Sequence, residues 1–256
     1  MTAALTPSLA VAFAVVGLVV AAVSGGVLGV ALRRMPSLGP WWVQAALVGG
    51  LGFGLGNALA LGGALLFGAP LRFEAELLTT GPWLVAGTLG TACGTAASLV
   101  AARVAGSLHA GAWPGWKWVL AGVPAALCVV VAGVAWMLLL GAVGFVPEAQ
   151  SLAAALAAQE GWVRGVVLAF VLGVAPLTEE LFFRGWCQPL LRARFGARRA
   201  IVAQAVLFGA VHTDRVWAVP MLVLIGLVCG WLRERSGSVL PGWLLHVLNN
   251  GMAAAV

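Results

Sequence analysis

The chain carries long apolar runs unbroken by charge, the first extending from Ser8 to Leu32. A bilayer-spanning helix needs about 20 such residues, because ~30 Å of hydrocarbon is crossed at 1.5 Å per residue. Seven further apolar segments follow, at roughly 41–68, 82–102, 118–144, 162–184, 200–213, 215–232 and 239–256. The sixth and the eighth are short for a span, which is tolerated where a segment borders protein or a watery cavity. Inside lipid every backbone group must be satisfied within its own segment, so the expected fold is all-α, a polytopic membrane protein of about eight transmembrane helices.

Composition closes off the other classes. Only 9% of the 256 residues are charged and 62% are hydrophobic, with a mean hydropathy of +1.05. A soluble domain carries about a quarter charged residues, and a chain this apolar cannot stay solvated and disordered. The net charge of +6 invites a nucleic-acid reading. In a membrane protein, however, Lys and Arg are retained on the cytoplasmic side, and no nucleic-acid partner is expected. The N-terminus lacks the basic stretch of a secretory signal, and its first apolar run is too long for a signal core, so it reads as a retained span. Cys93, Cys128, Cys187 and Cys229 lack metal or redox spacing and read as small buried hydrophobes.

Sidedness follows from the basic residues. With eight spans, the odd gaps hold Arg33, Arg34, Arg103, Lys117, Arg192, Arg194, Arg198, Arg199, Arg233 and Arg235, and the even gaps and their borders hold Arg72, Arg164 and Arg215. Ten against three places the odd gaps in the cytoplasm and both termini outside. The gap from Phe145 to Gly161, with Glu148 and Glu160, suits a short surface helix. Gly50, Gly52, Gly54 and Gly56 suit close helix packing, and Trp41, Trp42, Trp113, Trp116 and Trp118 suit interfacial belts. His109, in a loop near Trp113 and Lys117, reads as interface decoration.

The informative residues are polar ones in apolar segments. Two of only eight acidic residues, Glu179 and Glu180, are adjacent in the fifth segment. A charge at the bilayer centre costs about 2.5–3.5 kcal/mol even on the lenient scale, so it demands a partner or a function. Glu180 and Arg184 share a helical face at i, i+4 and can neutralise one another. Glu179 points about 100° away, which leaves one carboxylate paired and the other free. His212 closes the sixth segment, and His246 shares a face with Asn250 in the eighth. Counted from Arg192, Arg199 and Arg235 at 1.5 Å per residue, Glu180, His212 and His246 lie ~18, ~20 and ~16 Å deep, close to a common level.

Two carboxylates, two imidazoles and an amide at one depth are equipped for hydrolysis. A free carboxylate serves as general base, one imidazole helps to hold the attacking water, and another imidazole with an amide donates to an oxyanion. No Ser or Cys stands in a nucleophile setting, and Thr178 suits capping or backbone bonding. Water activation is therefore expected over covalent catalysis.

Glu179-Glu180-x-x-x-Arg184, Phe208-x-x-x-His212 and His246-x-x-x-Asn250, in that order, resemble the three signature motifs of the CPBP (Abi) intramembrane proteases, which include the CAAX prenyl endopeptidases. The resemblance covers about 176–251. It implies an eight-helix membrane protease with an intramembrane catalytic cavity, built as one transmembrane domain over 1–256, with spans of unassigned role in 1–160 and a catalytic core in 161–256. It further implies Glu179 as general base, His212 as its partner on the water, His246 and Asn250 as oxyanion donors, and Glu180, paired with Arg184, as an orienting carboxylate. Glu179, Glu180, His212 and His246 would be the candidate ligands of a divalent metal such as zinc, although carboxylate chemistry needs none and no obligatory metal is the favoured reading. The expected partners are membrane lipids and a membrane-associated peptide or protein, cleaved at a CAAX-type tail, a leader peptide or a C-terminal sorting signal. The expected location is a bacterial cytoplasmic membrane. The alternatives are a non-catalytic immunity or scaffold protein and a proton- or cation-coupled transporter. A transporter is disfavoured because the polar groups converge at one depth instead of forming a ladder.

Overall fold

The computed structural model describes residues 5–34, 41–69, 80–145, 157–159 and 161–255, and among them the secondary structure is helical throughout, with no strand. The main elements are α1 (Pro7–Arg34), α2 (Trp41–Leu66), α3 (Gly81–Val104), α4 (Trp116–Leu120), α5 (Gly122–Ala142), α6 (Gly161–Ala169), α7 (Ala175–Glu180), α8 (Gln188–Phe195), α9 (Ala197–Ala210), α10 (Val219–Ser236) and α11 (Leu240–Ala255). Among the described residues six helical runs are long and apolar enough to cross a bilayer, and the protein is an integral multi-pass membrane protein. The count differs from eight at the two segments that were short by sequence: α9 has 14 residues and α11 has 16. At 1.5 Å per residue they reach only ~21 and ~24 Å. Arg72, Glu148, Glu160, the surface helix expected around them and the side chains of Trp41, Trp42 and Arg215 lie outside the described residues.

The chain divides into two compact units, Met1–Leu108 with Ser151–Thr178, and His109–Gln150 with Glu179–Val256. In the first, α1 and α2 pack on α3 through small residues. A Cβ on Gly25 would strike the Ala97 carbonyl, and one on Gly29 would lie 2.6 Å from Val104 Cβ. The four α2 glycines split by face. Gly52 and Gly56, one turn apart, abut Ser98, Gly94 and Gly90 of α3, whereas Gly50 and Gly54 have open space around them. Ser98 Oγ, buried in this seam, donates to the Val48 carbonyl at 2.7 Å. Without a hydrophobic drive between helices in lipid, such close backbone approach supplies the packing.

In the second unit, a core of Ala126, Val129, Phe183, Phe208, Ile225, Cys229, Leu232 and Leu245 joins α5, α9, α10 and α11. Gly226 of α10 meets Ala205 of α9 backbone to backbone, and Gly122 of α5 meets Pro241 of α11 in the same way. Cys93 and Cys229 are buried and all four thiols are free, but Cys128 is exposed. That corrects the expectation of burial for Cys128, which as an apolar thiol is compatible with lipid.

The helical run from Gly161 to Phe195 contains two π segments, Phe170–Val174 and Leu181–Cys187. A proline follows each, Pro176 and Pro189. Proline offers no N–H to the carbonyl four residues back and crowds it sterically, and local widening relieves both problems. The Gly185 carbonyl, four residues before Pro189, instead accepts the His109 N–H at 2.6 Å. Thr178 Oγ1 donates to the carbonyls of Val174 and Ala175 at 2.9 and 3.0 Å, the backbone role expected of it.

The glycine seam makes a contrast testable. Gly94→Val would drive a side chain into Gly52 and Gly56 and is expected to cost about 1–3 kcal/mol or more. Gly26→Ala, which meets nothing within 4 Å, is expected to leave stability unchanged or raised by up to ~1 kcal/mol. Thermal unfolding of both variants in detergent checks the pair.

Candidate active site

All six candidate residues belong to the second unit. Glu180 and Arg184 are both fully buried, with Glu180 Oε1 2.8 Å from Arg184 Nη1. The approach is an ion pair off the alignment of a hydrogen bond, since among the described residues none of Arg184's three guanidinium nitrogens has an aligned acceptor. Its second compensation is aromatic: the guanidinium carbon lies 4.7 Å from the Phe208 ring centre and 5.9 Å from that of Phe183. A cation over a ring face is favoured most where water is excluded.

His246 stands between the two carboxylates. Its Nε2 is 3.6 Å from Glu179 Oε2 and its Nδ1 is 3.5 Å from Glu180 Oε1. These separations are just beyond hydrogen-bond length. The two glutamates differ in setting, Glu180 being sealed and Glu179 about 30% exposed, as the 100° offset between neighbours on a helix requires.

The start of α11 fixes His246. Gly237 ends α10 in the left-handed region (φ 72°), its N–H bonded to the Arg233 carbonyl. Ser236 Oγ accepts the Ser238 N–H at 3.1 Å and Ser238 Oγ accepts that of Leu240 at 3.4 Å, turning the chain into α11. Gly242 then passes so close to Glu180 that a Cβ there would lie 2.6 Å from its Oε2. One turn later on the same face comes His246, and one turn after that the half-buried Asn250.

His212 enters through Phe208. Its Nδ1 is 2.8 Å from the Phe208 carbonyl, which that nitrogen satisfies when it carries the proton, leaving Nε2 as the acceptor. Its ring lies 5.0 Å from that of Phe208, and the opposite contact of Phe208 is His246 at 5.6 Å, edge to face. Glu179, His246, Glu180 and Arg184 thus form a chain of contacts in that order, and His212 joins it through the Phe208 ring. Phe208 is buried and touches both histidines and the guanidinium.

Sequence reasoning passed over Gln188, Glu234 and Gly242. Gln188 Nε2 donates to the Gly230 carbonyl at 3.1 Å and to Glu234 at 3.4 Å, while Arg192 pairs with Glu234 at 2.7 Å. A signal was present: Glu180, Arg184, Gln188 and Arg192 recur every fourth residue, opposite Gly230 and Glu234 at the same spacing. His109 also does more than decorate a surface, because its carbonyl accepts from Arg233 Nη2 at 2.7 Å and its N–H holds Gly185. Among the described residues no group of three His, Cys, Asp or Glu side chains is arranged to hold a metal ion.

Fold and site together define a polytopic all-α membrane protein with a carboxylate–histidine cluster walled by apolar helices. Residues 160–252 match the family model described as Rce1-like, type II CAAX prenyl endopeptidase Rce1-like. The matched segment contains Glu179, Glu180, Arg184, His212, His246 and Asn250. No curated protein and no solved structure matches the chain.

The buried pair yields a prediction. Arg184→Met alone leaves Glu180 buried without its partner and is expected to destabilise by about 3–5 kcal/mol. The double variant Glu180→Leu with Arg184→Met is expected to recover most of that loss, as read by thermal unfolding in detergent. Additive losses would show that the two side chains do not compensate each other.

Proposed function

We propose that the chain is an intramembrane endopeptidase that hydrolyses peptide bonds of membrane-associated substrates with a water activated by Glu179. The observation that carries this reading is His246 bracketed by two carboxylates of opposite setting, one sealed and ion-paired, the other partly open. A sealed, paired Glu180 holds the imidazole through Nδ1. The open Glu179 is left to accept a proton, the division of labour that paired carboxylates in different environments support.

In the reaction, Glu179 takes a proton from water as the water oxygen bonds to the scissile carbonyl carbon, whose π electrons move to oxygen. His212, with Nε2 free to accept, orients the water. His246 Nε2 and the Asn250 amide donate to the oxyanion. Collapse of the tetrahedral intermediate breaks the C–N bond, and Glu179 returns its proton to the leaving amine. The apo separations of 3.5 and 3.6 Å fit this role, because catalytic hydrogen bonds commonly tighten only in the substrate complex. The route needs no metal. Support for a peptide substrate comes from the family match, in which the CAAX-type tail is the named class; a leader peptide or sorting helix in a bacterial cytoplasmic membrane has the same chemistry.

Glu179→Ala and Glu179→Gln are each expected to lower cleavage of a quenched peptide panel by about 10²–10⁴-fold while unfolding at the wild-type temperature. Equal turnover by folded variants would remove Glu179 as the base. A chelator titration of the wild type is expected to leave the rate unchanged, and a loss restored by added zinc would assign the water to a metal.

A further inference from the structure

A cavity of about 560 Å³ lies in the second unit, its wall including His109, Arg184, Gln188, Arg192, Arg233 and Glu234. Its polar groups do not cancel. Arg184 is matched by Glu180, and Arg192 by Glu234. Arg233 donates to two backbone carbonyls, those of His109 at 2.7 Å and Arg184 at 3.3 Å, which orient its guanidinium and bring no negative charge. Two guanidiniums against one carboxylate leave one positive charge at the cavity beyond the Glu180 pair. Gln188 is 2% exposed, and its carboxamide nitrogen donates to Glu234 at 3.4 Å.

The location narrows the ligand. The cavity lies at the ends of α8 and α10, whose last turns carry Arg192, Arg194, Arg233 and Arg235, with Arg198 and Arg199 at the start of α9. Arg235 stacks 5.6 Å from the exposed Trp231 ring, and Phe195 is exposed beside the cavity residue Gly196. Arginines beside exposed aromatics mark the headgroup level of a bilayer, and basic pockets between helices at that level hold anionic headgroups. A phosphodiester supplies the single negative charge, and its acyl chains would run along Trp231 and Phe195. The partly exposed acceptor Glu234 favours a headgroup that also donates through hydroxyls, since an ammonium headgroup would cancel the anion's charge.

We propose that this cavity binds the headgroup of an anionic glycerophospholipid with a hydroxylated headgroup, its phosphodiester held by Arg233 and Arg192. The site is independent of the proposed proteolysis. Native mass spectrometry of the full chain, titrated with phosphatidylglycerol, phosphatidylcholine or inorganic phosphate, tests it. Wild type is expected to retain one phosphatidylglycerol at a concentration about fivefold or more below that needed for phosphatidylcholine. Arg192→Gln, at a side chain 61% exposed, should reduce that preference about fivefold, and Glu234→Gln should increase it. Arg233→Lys, which keeps the charge, should bind better than Arg233→Gln, with thermal unfolding confirming that each variant is folded. Equal retention of the two lipids, or no change in Arg192→Gln, would overturn the proposal. So would competition by inorganic phosphate at the concentration of the lipid. Displacement by a peptide with a free C-terminus, and not by its amidated twin, would instead make the cavity a carboxylate subsite and equally overturn it.

Discussion

A carboxylate and a guanidinium with no solvent at all, 2.8 Å apart, set the terms for the second unit. Neither charge is tolerable there alone, so everything around them answers to the pair. Phe208 and Phe183 supply ring faces to the cation. Gly242 gives up its side chain so that α11 can approach the anion. That approach is what delivers His246 to a position between Glu180 and Glu179. The pair therefore acts less as a source of net stability than as a register mark, fixing which residue of α11 faces which residue of the fifth span.

The same economy governs how the backbone is held. Proline at 189 frees the Gly185 carbonyl, and the widened helix around it is tied down by the His109 N–H and by Arg233, which reaches both Arg184 and His109. A loop, a π segment and the end of α10 are thus locked into one another by three hydrogen bonds to main-chain carbonyls. Side chains that would look superficial in a sequence, His109 and Arg233, are part of the frame that positions buried charge.

Much of this was legible in the sequence, for identifiable reasons. Uncharged runs require helices in lipid, and the two segments short of a span by residue count are the two that fall short in the structure. Glu180 with Arg184 followed from i, i+4 geometry, and the separate direction of Glu179 from the 100° step. What the sequence could not rank was proximity between elements. Nothing local to His246 says that it faces Glu179 and Glu180, or that His212 reaches the cluster through Phe208. Gly242 is invisible as a site residue because its contribution is an absent side chain, and Gln188 and Glu234 each look like solvated polar residues until α8 and α10 are set side by side. Gly50 and Gly54 erred the other way: they share the composition of a packing motif but lie on the face that meets nothing.

The π segment at Leu181–Cys187 also works as an angular vernier. Polar residues every fourth position on a regular α-helix wind round it, gaining about 40° per step. A wider turn of about 4.4 residues loses about 30° per step. Threading Glu180, Arg184, Gln188 and Arg192 through one wide segment and one regular one lets the two drifts offset each other. A four-residue repeat, which would otherwise spiral around the helix, becomes a polar seam running from a sealed charge pair to the exposed Arg192. Pro189, which follows the wide segment, is what keeps that seam aligned.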